Sequence, residues 1–73
     1  MSIETIKSEI DSLHERLDRE TVTYLLAIKL RYEYDKVKKL WLTRKTTAEK
    51  IASLTMEHDI LLEKEMEVLR GEI

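Results

Sequence analysis

The first seventeen residues carry a regular apolar pattern. Large aliphatic side chains recur at steps of three and four residues, and every position between them is polar or charged. The five aliphatic residues are Ile3, Ile6, Ile10, Leu13 and Leu17. This spacing places all five on one face of an α-helix, as in the seam of a coiled coil. Because such a stripe is disfavoured in water, we predict a helix that packs along this face.

The pattern is interrupted between residues 18 and 21. The next seam position falls on Glu20, Asp18 can cap a new helix, and three β-branched residues follow at 21–23, which weakens helix locally. No glycine or proline enforces a stop, so the sequence is compatible with a kink near 18–21 and with a continuous helix whose stripe changes phase. Apolar residues then resume at Val22, Leu26, Leu30, Val37 and Leu40.

Residues 44–47 are where the sequence signals a reversal of the chain. Thr46 and Glu49 have the spacing of a capping box, and Thr47 is an alternative helix cap. A second stripe follows, at Ala48, Ile51, Leu54, Leu61, Leu62, Val68 and Leu69, and Gly71 is suited to end that helix. We therefore predict an all-α antiparallel helical hairpin in a single domain over 1–73, with a helix over 2–44, a turn over 44–47 and a helix over 47–70. If the helix instead ran straight through 44–47, a long parallel coiled coil would result.

A turn at 44–47 is off-centre, and this has a consequence for assembly. The shorter second helix would be exhausted near residue 18, so that residues 2–17 project beyond it by about 24 Å. The projecting part carries the five aliphatic residues at 3–17. We expect these residues to form a self-association or partner interface in a homodimer or a larger helical bundle.

The same turn places two polar residues opposite each other. Glu33 and His58 interrupt the two apolar stripes at positions that would face one another across the hairpin. We predict that they pair and fix the register of the two helices, as buried polar residues do in coiled coils.

Composition supports the helical interpretation and narrows the class of protein. Charged residues make up 38% of the 73 residues, cysteine and proline are absent, and Asn and Gln are missing while Lys and Glu are abundant. The absence of cysteine excludes disulfides, and the loss of amides with Lys/Glu enrichment is a thermophile-like signature. No apolar run approaches the length of a membrane span, and the amino terminus lacks the pattern of a secretory signal. We expect a cytoplasmic protein with no membrane partner.

Charge is distributed unevenly along the chain. Residues 21–50 carry eight basic and three acidic groups, a net charge of +5, whereas residues 1–20 and 51–73 are net acidic. Aromatic and basic residues interleave in this middle segment, at Arg31, Tyr34, Lys38, Trp41, Arg44 and Lys45. Bases repeated along one helix face can follow phosphates, and aromatic rings can stack on nucleobases. The alternative is a solvated basic face that pairs with an acidic protein partner, which the slightly acidic net charge of −2 favours.

No set of residues points to catalysis. The chain has no cysteine nucleophile and no glycine-rich loop, and its two histidines are not grouped with serine and carboxylate in a recognisable arrangement. We predict no catalytic, cofactor-binding or metal-binding residues and no small-molecule substrate. The function we expect is that of a non-enzymatic structural or adaptor protein. Two alternatives are an accessory nucleic-acid-associated subunit of the replication or transcription type, which would use the basic segment 29–45, and a small all-helical enzyme.

Overall fold

Two helices packed against each other make up the described part of the chain, residues 2–71. In this computed structural model, α1 spans Ile3–Lys29 and α2 spans Tyr34–Arg70. The molecule is a narrow rod measuring 58 × 16 × 15 Å. The length agrees with the 37 residues of α2 at 1.5 Å per residue. The prediction of an all-α helical hairpin is confirmed.

The first helix begins with a side-chain cap and continues without a break. Ser2 has an extended backbone, and its Oγ accepts a hydrogen bond of 3.1 Å from the Thr5 amide. At 21–23, where a kink was one of two expectations, the hydroxyls of Thr21 and Thr23 donate to the carbonyls of Leu17 and Arg19. This back-bonding keeps threonine compatible with the helix, so the β-branched residues do not end it.

The reversal of the chain occurs at Leu30–Glu33, and the predicted turn at 44–47 is wrong. Leu30 caps α1, and Arg31 adopts the left-handed conformation, with φ of 58°. The Tyr32 amide donates to the Ala27 carbonyl at 3.0 Å, and the Arg31 amide donates to the Ile28 carbonyl at 3.1 Å. These two hydrogen bonds form a Schellman motif, which usually has glycine where this chain has Arg31.

The second helix passes through 44–47 because the threonines there bond to their own helix. The hydroxyls of Thr43 and Thr46 donate to the carbonyls of Lys39 and Leu42, four residues earlier, each at a distance of 3.0 Å. The Thr46 hydroxyl, which was expected to cap a new helix, therefore has its hydrogen-bond partner inside α2. The expected end of α2 is confirmed, since Gly71 follows Arg70 with φ of 76° and its amide donates to the Val68 carbonyl.

The two helices meet along a seam with coiled-coil spacing. In α1 most of the buried and half-buried positions recur at alternating steps of three and four residues, at Ile3, Ile6, Ile10, Leu13, Leu17, Glu20, Tyr24 and Ala27. In α2 the same spacing holds for Val37, Leu40, Arg44, Thr47, Ile51, Leu54, His58 and Leu61. The register is antiparallel, because Glu20 meets Thr47 near the middle and Ile6 lies beside Leu61 near the free ends. We refer to these two sets as the hairpin seam.

Candidate interaction surface

The aliphatic residues at 3–17 lie inside the hairpin. Ile6 is 1% exposed and Leu13 is 8% exposed, while Ile3, Ile10 and Leu17 are half-buried. With the turn at Leu30–Glu33, the second helix is long enough to cover them, so the projecting segment that we expected is not present. It is α2 that extends slightly beyond α1, and the last residues of α2 stay exposed, including Val68 and Leu69. The apolar stripe in α1 therefore packs against α2 within the hairpin, and its predicted role as an interface with another chain stays a prediction.

Polar residues occupy the middle of the hairpin seam and satisfy one another. Thr47 is 5% exposed, and its hydroxyl lies 2.8 and 2.9 Å from the two carboxylate oxygens of Glu20. The Arg16 Nε donates to the same carboxylate at 2.9 Å. One step nearer the turn, the Arg44 Nε donates to the Thr21 hydroxyl at 2.8 Å. This cluster crosses between the helices at one level, so a shift of register would leave its buried groups without partners.

The predicted pair of Glu33 and His58 does not form. Both residues belong to the same helical unit, Glu33 as the residue that precedes α2 and His58 within it. Twenty-five positions separate them, or about 37 Å along a helix. The acidic group nearest to His58 is its neighbour Asp59, with 3.9 Å between Nδ1 and Oδ1. The polar contact that crosses the hairpin seam joins Glu20 and Thr47 instead, and the sequence had marked Glu20 as an interruption and Thr47 as an alternative helix cap.

The predicted basic and aromatic residues divide into two groups. Tyr34, Lys38, Trp41 and Lys45 follow one another at steps of four, three and four residues on one exposed face of α2. The Lys45 Nζ lies 5.3 Å from the centre of the Trp41 ring, within the range of a cation–π contact. Arg31 and Arg44 lie elsewhere. The first is in the turn, and the second is directed into the hairpin seam towards Thr21.

The exposed face that begins at Tyr34 continues along the whole of α2. Residues at a constant spacing of seven occupy it, and all of them are exposed. We call this set the α2 stripe, and its members are Tyr34, Trp41, Ala48, Thr55, Leu62 and Leu69. Its four large members remain 75%, 40%, 43% and 87% exposed, in that order. The stripe was not predicted from the sequence, because the predicted turn at 44–47 assigned Tyr34 and Trp41 to one helix and the other members to a second helix.

A second exposed apolar group lies at the turn end of the rod. On α1 it comprises Val22, Leu25 and Leu26, which are spaced to share one face, and each of them is at least half exposed. Leu30 and Tyr32 in the turn are also exposed, at 62% and 51%. This turn-end patch carries Lys29 and Arg31 among its apolar side chains, so it is both apolar and basic.

The concave features of the surface are open grooves along the helix–helix junction. One is lined by Ile6, Glu57, Ile60 and Leu61, and another lies between Ser2 and Val68. Within residues 2–71, no three His, Asp or Glu side chains are grouped so that they could hold a metal ion. Neither described helix contains a segment that is long and apolar enough to cross a membrane.

Comparison with known proteins adds no relative. The sequence matches no protein-family model and no curated protein, and the fold matches no solved structure.

Proposed function

We propose that this protein is a non-enzymatic structural or adaptor module that acts through helix–helix association, with copies of itself and with a protein partner. The observation that supports the proposal is the extent of ordered apolar surface on the rod. The α2 stripe and the turn-end patch both present large exposed apolar side chains, and most of these side chains lie on helices. Side chains already held on a helix lose little further backbone freedom when a partner covers them, which favours association.

The total exposed area supports the same conclusion. The hairpin exposes 6066 Å² of accessible surface, whereas a compact monomer of 8.7 kDa is expected to expose about 4,700 Å². The difference, about 1,300 Å², is larger than the area of about 800 Å² that one partner contributes to a standard protein–protein interface. The core is correspondingly small, since the buried apolar residues of the described chain are Ile6, Leu13, Ala27 and Ile51. Association would add burial that the isolated hairpin lacks.

Self-association is tested by sedimentation equilibrium of the full chain over a wide range of concentration. We expect the mass to rise from 8.7 kDa towards twice that value, with thermal stability rising in parallel because assembly favours the folded state by mass action. A mass that stays at 8.7 kDa at every concentration, with an unchanged melting temperature, would contradict the proposal.

A second candidate function, contact with nucleic acid, is favoured by one specific arrangement. Tyr34, Lys38, Trp41 and Lys45 alternate aromatic and basic groups on one exposed face, which is the pattern that single-stranded nucleic acid requires for stacking and phosphate contact. Only Lys38 and Lys45 among the predicted bases share this face, because Arg44 is directed inward.

This candidate is tested by fluorescence anisotropy with a labelled single-stranded oligonucleotide at low salt. If it is correct, Lys38→Ala and Lys45→Ala each weaken binding and reduce its salt dependence by about one phosphate contact. Lys50→Ala, on a different face of the same helix, is the matched control. Absence of binding at low ionic strength would eliminate this function.

A further inference from the structure

The α2 stripe has the geometry of a second helix-packing seam. It lies roughly a quarter-turn around α2 from the hairpin seam and runs for about 52 Å, from Tyr34 to Leu69. A helix in a four-helix bundle contacts two neighbours in this way, one on each of two adjoining faces. One neighbour of α2 is α1, and the α2 stripe is the face left for the other.

The side chains of the α2 stripe change in size and polarity along the helix. The pattern is self-complementary, because it matches that of a second copy running in the opposite direction. If two copies of α2 pack antiparallel about a two-fold axis near Ala52, Tyr34 lies at the level of Leu69 of the other copy and Trp41 at the level of Leu62. Ala48 then lies at the level of Thr55. Large side chains meet at both ends, and small ones, Ala48 and Ala52, occupy the centre, where they let the helices approach closely.

Thr55 fits the centre of such a contact although it is polar. Its hydroxyl donates to the Ile51 carbonyl of its own helix at 2.8 Å. Covering Thr55 with another helix therefore leaves no hydroxyl donor without a partner.

Charge favours the antiparallel orientation over the parallel one. Residues 34–50 of α2 carry six basic and two acidic groups, a net charge of +4, and residues 51–70 carry two basic and five acidic groups, a net charge of −3. An antiparallel pair places each basic half beside the acidic half of the other copy, and a parallel pair places like charges together. At the edge of the stripe, Lys45 comes within about 1.5 Å of the level of Asp59 of the other copy, and both side chains are exposed in the hairpin.

The position of the axis agrees with the extent of α2. The matched levels place the axis between Ile51 and Ala52, next to Ala52, the middle residue of the 37-residue helix Tyr34–Arg70. Two copies related by this axis overlap along the full length of α2, so no part of the stripe is left uncovered.

From these observations we infer that a second copy of this chain packs antiparallel on the α2 stripe, with the two-fold axis next to Ala52, to form a dimer of hairpins. The inference rests on the proposed function and specifies the surface, orientation and register of the self-association. The area required, about 800 Å² per partner for a standard interface, is within the excess surface of the hairpin.

The register is tested with single cysteines, which are unique in this chain because it has none of its own. Ala52→Cys lies beside the axis, close to its own copy, and is expected to oxidise to a covalent dimer by itself. Lys45→Cys and Asp59→Cys are expected to form little disulfide when each is oxidised alone, and to form a mixed dimer when the two variants are combined. The mixed dimer retains one native Lys45–Asp59 pair on its other side. Ser53→Cys, on another face of α2, is the control that should not cross-link.

Charge substitution gives a second test that does not depend on oxidation. Lys45→Glu and Asp59→Lys are each expected to raise the dissociation constant of the dimer about tenfold or more, since each alters two symmetry-related pairs. The double variant K45E/D59K is expected to recover most of that loss. Lys50→Glu makes the same charge change away from the stripe and is expected to leave the dissociation constant unchanged.

The outcomes separate this inference from the proposed function. Self-association with the expected cross-links and charge rescue supports both. If the chain self-associates, but Ala52→Cys does not cross-link or Lys45→Cys and Asp59→Cys each cross-link to themselves, the α2 register is wrong and the proposed function stands. If the full chain is monomeric at every concentration, both are overturned.

Discussion

Arg31 is the residue that the turn strains most. Among residues 2–71 it is the one non-glycine residue with positive φ, a conformation in which a Cβ atom approaches the backbone closely. Arg31→Gly should therefore raise the free energy of unfolding by up to about 1 kcal/mol. Arg31→Val should lower the free energy of unfolding, because a β-branched residue is least tolerant of this conformation. Urea denaturation of both variants, with Arg31→Lys as the neutral control, measures the effect. Equal stability of all three would show that Arg31 does not occupy the left-handed conformation.

Thr47 and Glu20 form the polar contact that we expect to set the register of the hairpin. Thr47→Val should lower the free energy of unfolding by about 1–3 kcal/mol, because it takes a donor from a half-buried carboxylate. Thr47→Ser keeps the hydroxyl and should lower the free energy of unfolding by less than Thr47→Val does. Replacing both residues, in Glu20→Leu with Thr47→Val, should restore much of the stability, since an apolar pair leaves no group unsatisfied. Chemical denaturation of the parent chain, Glu20→Leu, Thr47→Val and the double variant completes a double-mutant cycle that gives the coupling, and additive losses would contradict a direct interaction.

At the scale of the elements, the central feature is the continuity of α2 through 44–47. Proline in a helix interior removes a hydrogen bond and collides with the preceding turn, so Thr46→Pro should destabilise the hairpin by about 3 kcal/mol or more. Tyr34→Pro places proline at the first position of α2, where proline is tolerated. It should destabilise the hairpin much less than Thr46→Pro does. Thermal unfolding followed by circular dichroism compares the two. A Thr46→Pro variant as stable as the parent chain would favour a turn at 44–47.

The sequence was sufficient to predict two helices that pack antiparallel, the apolar face at 3–17 and the helix end at Gly71, but it assigned that apolar face to another chain instead of to the hairpin seam. It misled on the turn because Leu30–Glu33 contains no glycine, proline, asparagine or aspartate, and because threonines at 43–47 carry the same oxygen whether they cap a helix or bond back to it. A signal was present in the spacing of the seam. Positions of the seam type follow one another at steps of three and four residues from Ile3 through Glu20 to Ala27. The spacing breaks after Ala27 and resumes at Val37. Reading Glu20 as a member of the seam, instead of as its end, locates the turn between 27 and 37.

The α2 stripe could not be recognised while the turn was misplaced. Its members from Tyr34 to Leu69 share a face only if residues 34–70 form one helix. Residues seven positions apart then form one continuous surface, because two helical turns bring every seventh residue back to nearly the same side of the helix. The location of the candidate interface thus depends on one local event, the left-handed conformation of Arg31.

At the scale of the whole molecule, shape and assembly are linked. A single hairpin is 58 Å long, and a side-by-side dimer centred on Ala52 should remain close to that length, at about 60 Å, while its mass doubles. A straight helix over the same residues would be about 100 Å long. An end-to-end dimer through the turn-end patch would also approach twice the length of the hairpin.

Small-angle X-ray scattering, coupled to mass determination by light scattering at the same concentration, distinguishes these arrangements most directly. The side-by-side dimer predicts a particle of twice 8.7 kDa whose largest dimension stays at about 60 Å. A dimer that is about 100 Å long or more, or a mass of 8.7 kDa at high concentration, would contradict it.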